Sequence, residues 1–471
     1  MATNLVPAGS ERLTDLSNAT AYDGLLKDVY LPGLTDTVFN DSSFTALIQQ
    51  TTEGIDYEGQ QIVKGFKDQR AGGVGPIAEG GDFVDSVTAK GKQGTEQLKY
   101  LNAYFQITGP TIRAAKIGKG SFVSAAEDAF SDMMINAKND MERQITGNGT
   151  GQIAKPNATS ALPLKDDGDF NDHATGLDVQ ISVDDGGFFP SQFFRKGMKI
   201  DIWDDDQAKL KNSTDGTPTN RIELTVSSVA KNGLDIGIDY DSAATWSTST
   251  GTKGLEATDI ITVQNAYTGV SGTCLEMNGL QGLVDDTNTS WGLSRTTFPF
   301  LSSIIEALAG DELTEEFLLQ QMINLQYQHQ ADPNLLLVSP KAMLVYFQNS
   351  VGTGISAGNI RRFNVNQAME WTGGYTGMGI QLGTKNLMLS SVGSIRTNAD
   401  ANTAEGYMIN TSDFAFASMT QGYEWVNDGG RILTQKEASD NLFASAVNYL
   451  NMVCYDPGRQ MKMTGISTVA A

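Results

Sequence analysis

The chain has 471 residues, 40% hydrophobic and 19% charged, with a formal net charge of -22. That composition builds packed cores in roughly two to four domain-sized units and excludes a disordered chain. The acidity works against nonspecific nucleic-acid binding, which needs Lys and Arg to displace counterions, and two histidines and two cysteines weigh against hydrolytic triads, zinc sites and a disulfide framework.

Residues 1–54 read as an arm. Its start is polar, and two short helix candidates, 22–30 and 42–50, are divided by Leu31-Pro32-Gly33. The first thirty residues lack a basic segment followed by an apolar one, so no signal peptide is expected. No apolar run anywhere approaches the ~18 residues of a membrane span, so no membrane partner is expected.

Residues 55–109 read as a long hairpin. Gln61-Ile62-Val63-Lys64-Gly65-Phe66 alternates on the way out, and the run from Leu98 to Ile107 returns. Between them AGGVGPIAEGGDF is too rich in glycine to form a core. Residues 55–120 hold nine Lys and Arg against seven Asp and Glu, a net of about +2 in a very acidic chain. A mildly basic projection on an acidic body suits docking onto a neighbouring copy. A mobile surface loop is the bland alternative from this segment alone.

Residues 110–152 centre on the strongest helix signal. From 121 to 147, Phe122, Ala126, Phe130, Met133, Ala137, Met141 and Ile145 fall three and four apart and draw one stripe. Asp128, Asp132, Asn139 and Glu142 mark the polar face. Ser124 and Glu127 have capping-box spacing, acidic residues crowd the first turns, and Gly147 and Gly149 supply the stop. The GNGTGQIA run that follows reads as a loop.

From 153 to 274 the texture changes to short β-like runs at 198–203, 222–226, 234–238 and 260–263, separated by turn residues. This predicts a small sandwich or barrel inserted into the chain and facing outward. It carries ten basic and eighteen acidic residues. From 275 to 421 the texture is α/β: Thr314 caps a helix through His329, Leu335-Leu336-Leu337-Val338 is a buried strand, and Ser339-Pro340 opens a further helix. Strands are expected at 379–389 and 406–409, and a long buried strand at 441–454.

The order of these parts resembles the major capsid proteins of tailed bacteriophages, the Hong Kong 97 capsid fold. FKDQRAGGVGPIAEGGDF resembles its extended hairpin, or E-loop; the helix from Ser121 its spine; NLLLVSPKAMLVYF its axial domain. GMGIQLGTKNLML and GYMINTSDFAF resemble its later strands. SDNLFASAVNYLNMVCYDPGRQMKMTG resembles the strand that returns through the peripheral domain (422–455) and then the axial one (456–471). The resemblance covers most of the chain outside 153–274 and implies an α+β fold.

It also implies a function: a non-enzymatic, cofactor-free subunit that self-assembles into hexamers and pentamers of an icosahedral head. The head encloses double-stranded DNA and is assembled in the host cytoplasm. Lys64, Lys67, Arg70, Gly73, Gly75 and Glu79 of the E-loop would meet a neighbouring subunit, and Phe122, Phe130, Met133 and Met141 would seat the spine helix. The implied partners are further copies, a portal, a separate scaffolding protein (only about fifty residues precede the hairpin) and a decoration or cement protein. Some relatives cross-link a hairpin lysine to an asparagine in the returning strand with help from a glutamate. Here those positions fall on Ser445 and near Met452 or Val453, so no isopeptide bond is expected. The alternative from another class is a β-rich tail or adhesin-type binding protein, with 153–274 holding a glycan.

Three motifs are weaker than they look. Gly354-Ile355-Ser356-Ala357-Gly358 fits a nucleophile elbow, but both histidines lie upstream of it. Gly73 to Ala78 fits a dinucleotide fingerprint, but glycines rather than a helix follow. Asp167, Asp169, Asn171 and Asp178 approach calcium-loop spacing without its glycine or final glutamate. Phe188, Phe189, Phe193 and Phe194 around Pro190 read as packing at the base of the insertion.

Overall fold

A computed structural model of the chain describes residues 49–50, 56–58, 61–82, 84–108, 121–157, 179–213, 216–240, 256–270, 272–287, 289–356, 378–382, 385–399, 401–419, 423–426, 434–435 and 441–469. Helices and strands are mixed in an α+β arrangement. The expected helix at 22–30 and the calcium-like loop lie outside the described residues. So does 42–50 except for its end: Gln49–Gln50 is a strand, paired in parallel with Phe414–Ser418.

The chain forms two compact units. The smaller takes in Asn102–Lys138 and Tyr423–Val447. Within it, Glu424–Trp425 and Thr434–Gln435 both pair antiparallel with the first half of the strand Leu442–Cys454. Ala103, Met133, Ala137 and Ala446 form its core, with Phe105, Met134, Tyr423 and Trp425 packed around them. Met133 and Ala137, four apart, face inward as the helical period requires. Phe105 and Trp425 meet edge to face at 6.4 Å.

The helix itself spans Ser121–Thr146, 26 residues or about 39 Å. Its first turn carries no acidic residue; Glu127 and Asp128 fall in the second. Of the expected stripe, Met133 is buried and Met141 half-buried. The side chains of Phe122 and Phe130 lie outside the described residues. The expected polar face is not uniformly exposed: Glu142 and its neighbour Arg143 are buried.

Three parts of the larger unit, among its described residues, position the site. The first is a closed six-stranded barrel, in the order Asp235–Tyr240, Val179–Asp184, Gln152–Pro156, Ile260–Val263, Lys199–Trp203, Leu224–Val229. Alternate residues such as Ile181 and Val183, Ile200 and Ile202, Ile236 and Ile238 point into one core. Closure removes the free edges an isolated small sheet would expose. Four strands were legible. Gln152–Pro156 falls where a loop was expected, because the Gly149 and Gly151 turn ends one residue before the strand starts. Phe194 is in the barrel core with Phe193 against it, and Phe188 and Phe189 stack edge to face at 4.5 Å.

The second is a seven-stranded mixed sheet, ordered Ile304–Ala307, Met461–Ser467, Thr403–Ile409, Leu335–Val338, Lys385–Ser391, Met378–Leu382, with Thr397–Asn398 on Thr403–Ile409. The helices Glu315–His329 and Pro340–Ser356 cover it, burying Leu318, Met322, Leu325, Ala342, Met343 and Tyr346. Thr314 caps the first helix by accepting the Phe317 N–H, as the sequence predicts. Ser356 ends the second helix rather than standing on a strand-to-helix turn, which removes the elbow geometry.

The third is the hairpin. Gln61–Gln69 pairs antiparallel with Lys90–Gln97 on one side and Asp56–Glu58 on the other. Among the described residues no helix is long and apolar enough to cross a membrane.

Candidate functional site: the hairpin and its root

Period-2 alternation places Ile62, Lys64 and Phe66 on one face of the outgoing strand. Ile62, Phe66 and the returning Leu98 are buried against Trp291, Leu301, Ala415, Ala417 and Val453. Trp291 is the keystone of this root. Its carbonyl accepts from Thr95 N at 3.0 Å, its own N–H donates to Glu96 Oε1 at 2.7 Å, and its indole N–H donates to the Cys454 carbonyl at 2.8 Å. It sits at φ 54°, a left-handed conformation unusual for a bulky residue, just before Gly292 at φ 65°. Burial pushes the Glu96 carboxyl up, and the Trp291 N–H opposes it.

Lys64 turns into this root. Its ammonium stands 4.3 Å from the Tyr455 ring centroid, 5.0 Å from Phe66 and 5.9 Å from Trp291, and donates to the Tyr455 carbonyl at 3.0 Å. Burial lowers its pKa, against the pull of Asp456, Cys454 and Asp413. Of the residues expected to meet a neighbour, Lys64 is therefore engaged with its own chain.

Beyond Phe66 the ribbon leaves the body. Lys67, Arg70, Gly73, Gly75 and Glu79 are all exposed. Val74 is 100% exposed, and Ile77, Val84 and Val87 are about half exposed, so the tip shows apolar side chains with no cover from the described residues. Among the described residues one isolated β-bridge, Gly72 with Val87, links the two sides of the tip. Gly73 and Gly75 are glycine for a spatial reason. A Cβ at 73 would lie 2.5 Å from the Asp85 carbonyl oxygen, and one at 75 would lie 2.8 Å from Val84 Cγ2.

Sequence reasoning missed the anchor at the helix C-terminal end. Arg143 donates to Glu276 at 2.7 Å and to Asp140 at 2.8 Å. Gln144 joins the same group, donating to Asp140 and accepting from Met277 N. Burial works against the Arg143 charge, but Glu276 and Asp140 outweigh it and keep it cationic. The chain leaving the barrel is thereby tied to the last turns of the helix. Nearby, Lys99 Nζ donates to the Cys274 carbonyl at 2.6 Å, and Asn451 Nδ2 to the Gln97 carbonyl at 2.8 Å. Arg143 lies outside the apolar stripe of its helix and gave no sign of this; only its partner, far along the chain, explains it.

No protein-family model matches the chain, and no curated protein does. Among solved structures it is similar to phage capsids. The cyanophage A-1(L) capsid asymmetric unit is 13% identical, with 96% of this chain and 99% of that one covered and a TM-score of 0.48. The capsid of Myoviridae phage XM1 is 8% identical over 94% and 98%, with a TM-score of 0.41. The capsid of Ralstonia phage GP4 is 11% identical over 98% of each chain, with a TM-score of 0.35.

Proposed function

We propose that this chain is the major capsid protein of a tailed phage. It self-assembles into hexamers and pentamers of an icosahedral head that encloses packaged double-stranded DNA. The single observation that carries the reading is the hairpin: a rooted ribbon whose apolar tip has no cover from the described residues of its own chain. Uncovered apolar surface of this kind marks an interaction site. Lys67, Arg70, Gly73, Gly75 and Glu79 then lie across a neighbouring copy, and many such modest contacts add up over a closed shell. The formal charge of -22 suits a wall that confines DNA without gripping it. A separate scaffolding protein, a portal and a decoration protein are the further partners in this reading, the shell is built in the host cytoplasm, and the subunit performs no catalysis. Electron microscopy of the purified chain, alone and with its scaffolding protein, tests it. Closed shells or ring-shaped capsomers are expected, and a stable monomer at high concentration in both samples contradicts it.

A further inference from the structure

The loop 184–192 holds the phenylalanine cluster around Pro190 and reaches out of the barrel. It is tied at one side to the barrel's own hairpin: Ser191 N donates to the Gly233 carbonyl at 3.0 Å, and a Cβ at Gly233 would stand 2.6 Å from the Phe189 ring. On the other side it grips residues 393–399, which follow the strand Lys385–Ser391 of the seven-stranded sheet and include Thr397–Asn398. The Gly393 carbonyl accepts from Phe188 N at 2.8 Å and from Gln192 Nε2 at 2.9 Å. Ala399 N donates to Asp184 Oδ1 at 2.6 Å, and Arg396 pairs with Asp185 at 3.4 Å. Lys341, on the helix Pro340–Ser356, sets its ammonium 5.5 Å from the Phe188 ring centroid.

The same residues also meet the end of the long helix. Thr146 Oγ1 lies 3.2 Å from the Ser394 carbonyl oxygen, a donor it shares with the Arg143 carbonyl of its own helix. Arg396 donates to Asn148 Oδ1 at 3.4 Å. Ser394, Ile395, Arg396 and Thr397 are all buried.

We infer that 184–192 is a clamp, which makes the inserted barrel a fixed brace of the sheet and of the helix end instead of a module that moves on its own linkers. Contacts between parts of one chain are ordinarily loose enough to allow relative motion. Here the bonds run to backbone groups of a buried segment, and opening the clamp strips the Gly393 carbonyl of its Phe188 and Gln192 donors, which costs more than making them gains. Gly187 shows how closely the parts approach. A Cβ there would lie 2.3 Å from Gln192 Nε2 and 2.9 Å from the Gly393 oxygen, and its φ of 126° favours glycine. A barrel held in this way opens only when the sheet opens. The clamp belongs to the single chain, so it stands or falls apart from the proposed shell.

Hydrogen exchange of the full-length chain in increasing urea, below the unfolding transition and read by mass spectrometry, tests it. In the wild-type chain the barrel strand Lys199–Trp203 and the sheet strand Leu335–Val338 should lose protection along one common line. In Gly187→Ala the two lines should separate, with the barrel opening at lower urea. Residues 393–399 should then exchange roughly ten-fold faster, with a smaller rise at 144–148. Gln192→Leu, which removes one donor and keeps the bulk, should speed 393–399 in the same direction. Wild-type lines that already separate overturn the clamp, as does a folded Gly187→Ala in which they still coincide or 393–399 exchanges as before. Where Gly187→Ala does not fold, the wild-type lines and an unchanged 393–399 in Gln192→Leu overturn it in the same way.

Discussion

Gly94 lies so close to Trp291 that a Cβ at position 94 would stand 2.6 Å from Trp291 Cβ and 2.8 Å from the Phe66 ring. The returning strand of the hairpin can reach its anchor only because this residue has no side chain. Gly94→Ala must push the strand off the Trp291 backbone and loosen the Thr95 and Glu96 bonds with it. A loss of about 1–3 kcal/mol is expected from overpacking at a buried site. Urea unfolding followed by tryptophan fluorescence measures it, and assembly should fall in parallel.

Gly73→Ala and Gly75→Ala separate two kinds of crowding at the tip. The first meets backbone, the carbonyl oxygens of Asp85 and Val84; the second meets only the Val84 side chain, which can turn away. Both lie in an exposed segment, so the midpoint of global unfolding should hardly move in either. Gly73→Ala should impair assembly more than Gly75→Ala, as read by sedimentation of particles against free subunits.

The buried ion pair predicts a strongly non-additive cycle. Arg143→Met leaves Glu276 without its 2.7 Å partner, and Glu276→Leu leaves Arg143 with Asp140 alone. Each single change should cost about 3–5 kcal/mol, and the double change distinctly less than their sum, because two apolar side chains leave no stranded charge. Chemical denaturation of the four proteins gives the coupling.

Asp259 supplies a pH signature for the barrel. Its carboxylate accepts from Glu256 N at 2.8 Å and faces Lys211 at 3.4 Å, yet burial prevails and raises its pKa to about 6, from an ordinary 3.8. A carboxyl raised on folding contributes stability that is full below its unfolded value and is lost as pH rises through the folded one. Thermal stability attributable to Asp259 should therefore decline between about pH 4 and pH 6. The difference in Tm between the wild-type chain and Asp259→Asn isolates this slope from the other buried carboxylates, and a difference independent of pH contradicts it.

Local signals carried much of the fold. The Thr314 cap, the Leu335–Val338 run and the periodicity of Ser121–Thr146 each depend on near neighbours in sequence, and each appears where its pattern lies. What failed depends on distant partners. Glu142 falls on the expected polar face yet is buried, and Arg143 beside it is held by Glu276 from far along the chain. Gln152–Pro156 follows a glycine-rich turn with a Lys and a Pro inside it, and only closure of the barrel makes it a strand. At the candidate site, the hairpin and its glycine-rich tip were legible from alternation and composition. The root was not: nothing near Trp291 in sequence announces that it will hold Thr95, Glu96 and Cys454, and Lys64 reads as one more exposed charge on the ribbon.

In the proposed shell the exposed ribbon comes to rest on a different copy of the chain. Equal amounts of isotopically light and heavy subunits, assembled together and then treated with a short lysine cross-linker, test it directly. Cross-links from Lys67, Lys90 and Lys92 should join light to heavy chains as often as random mixing allows. Cross-links from those three lysines that join only residues of one chain would contradict that placement.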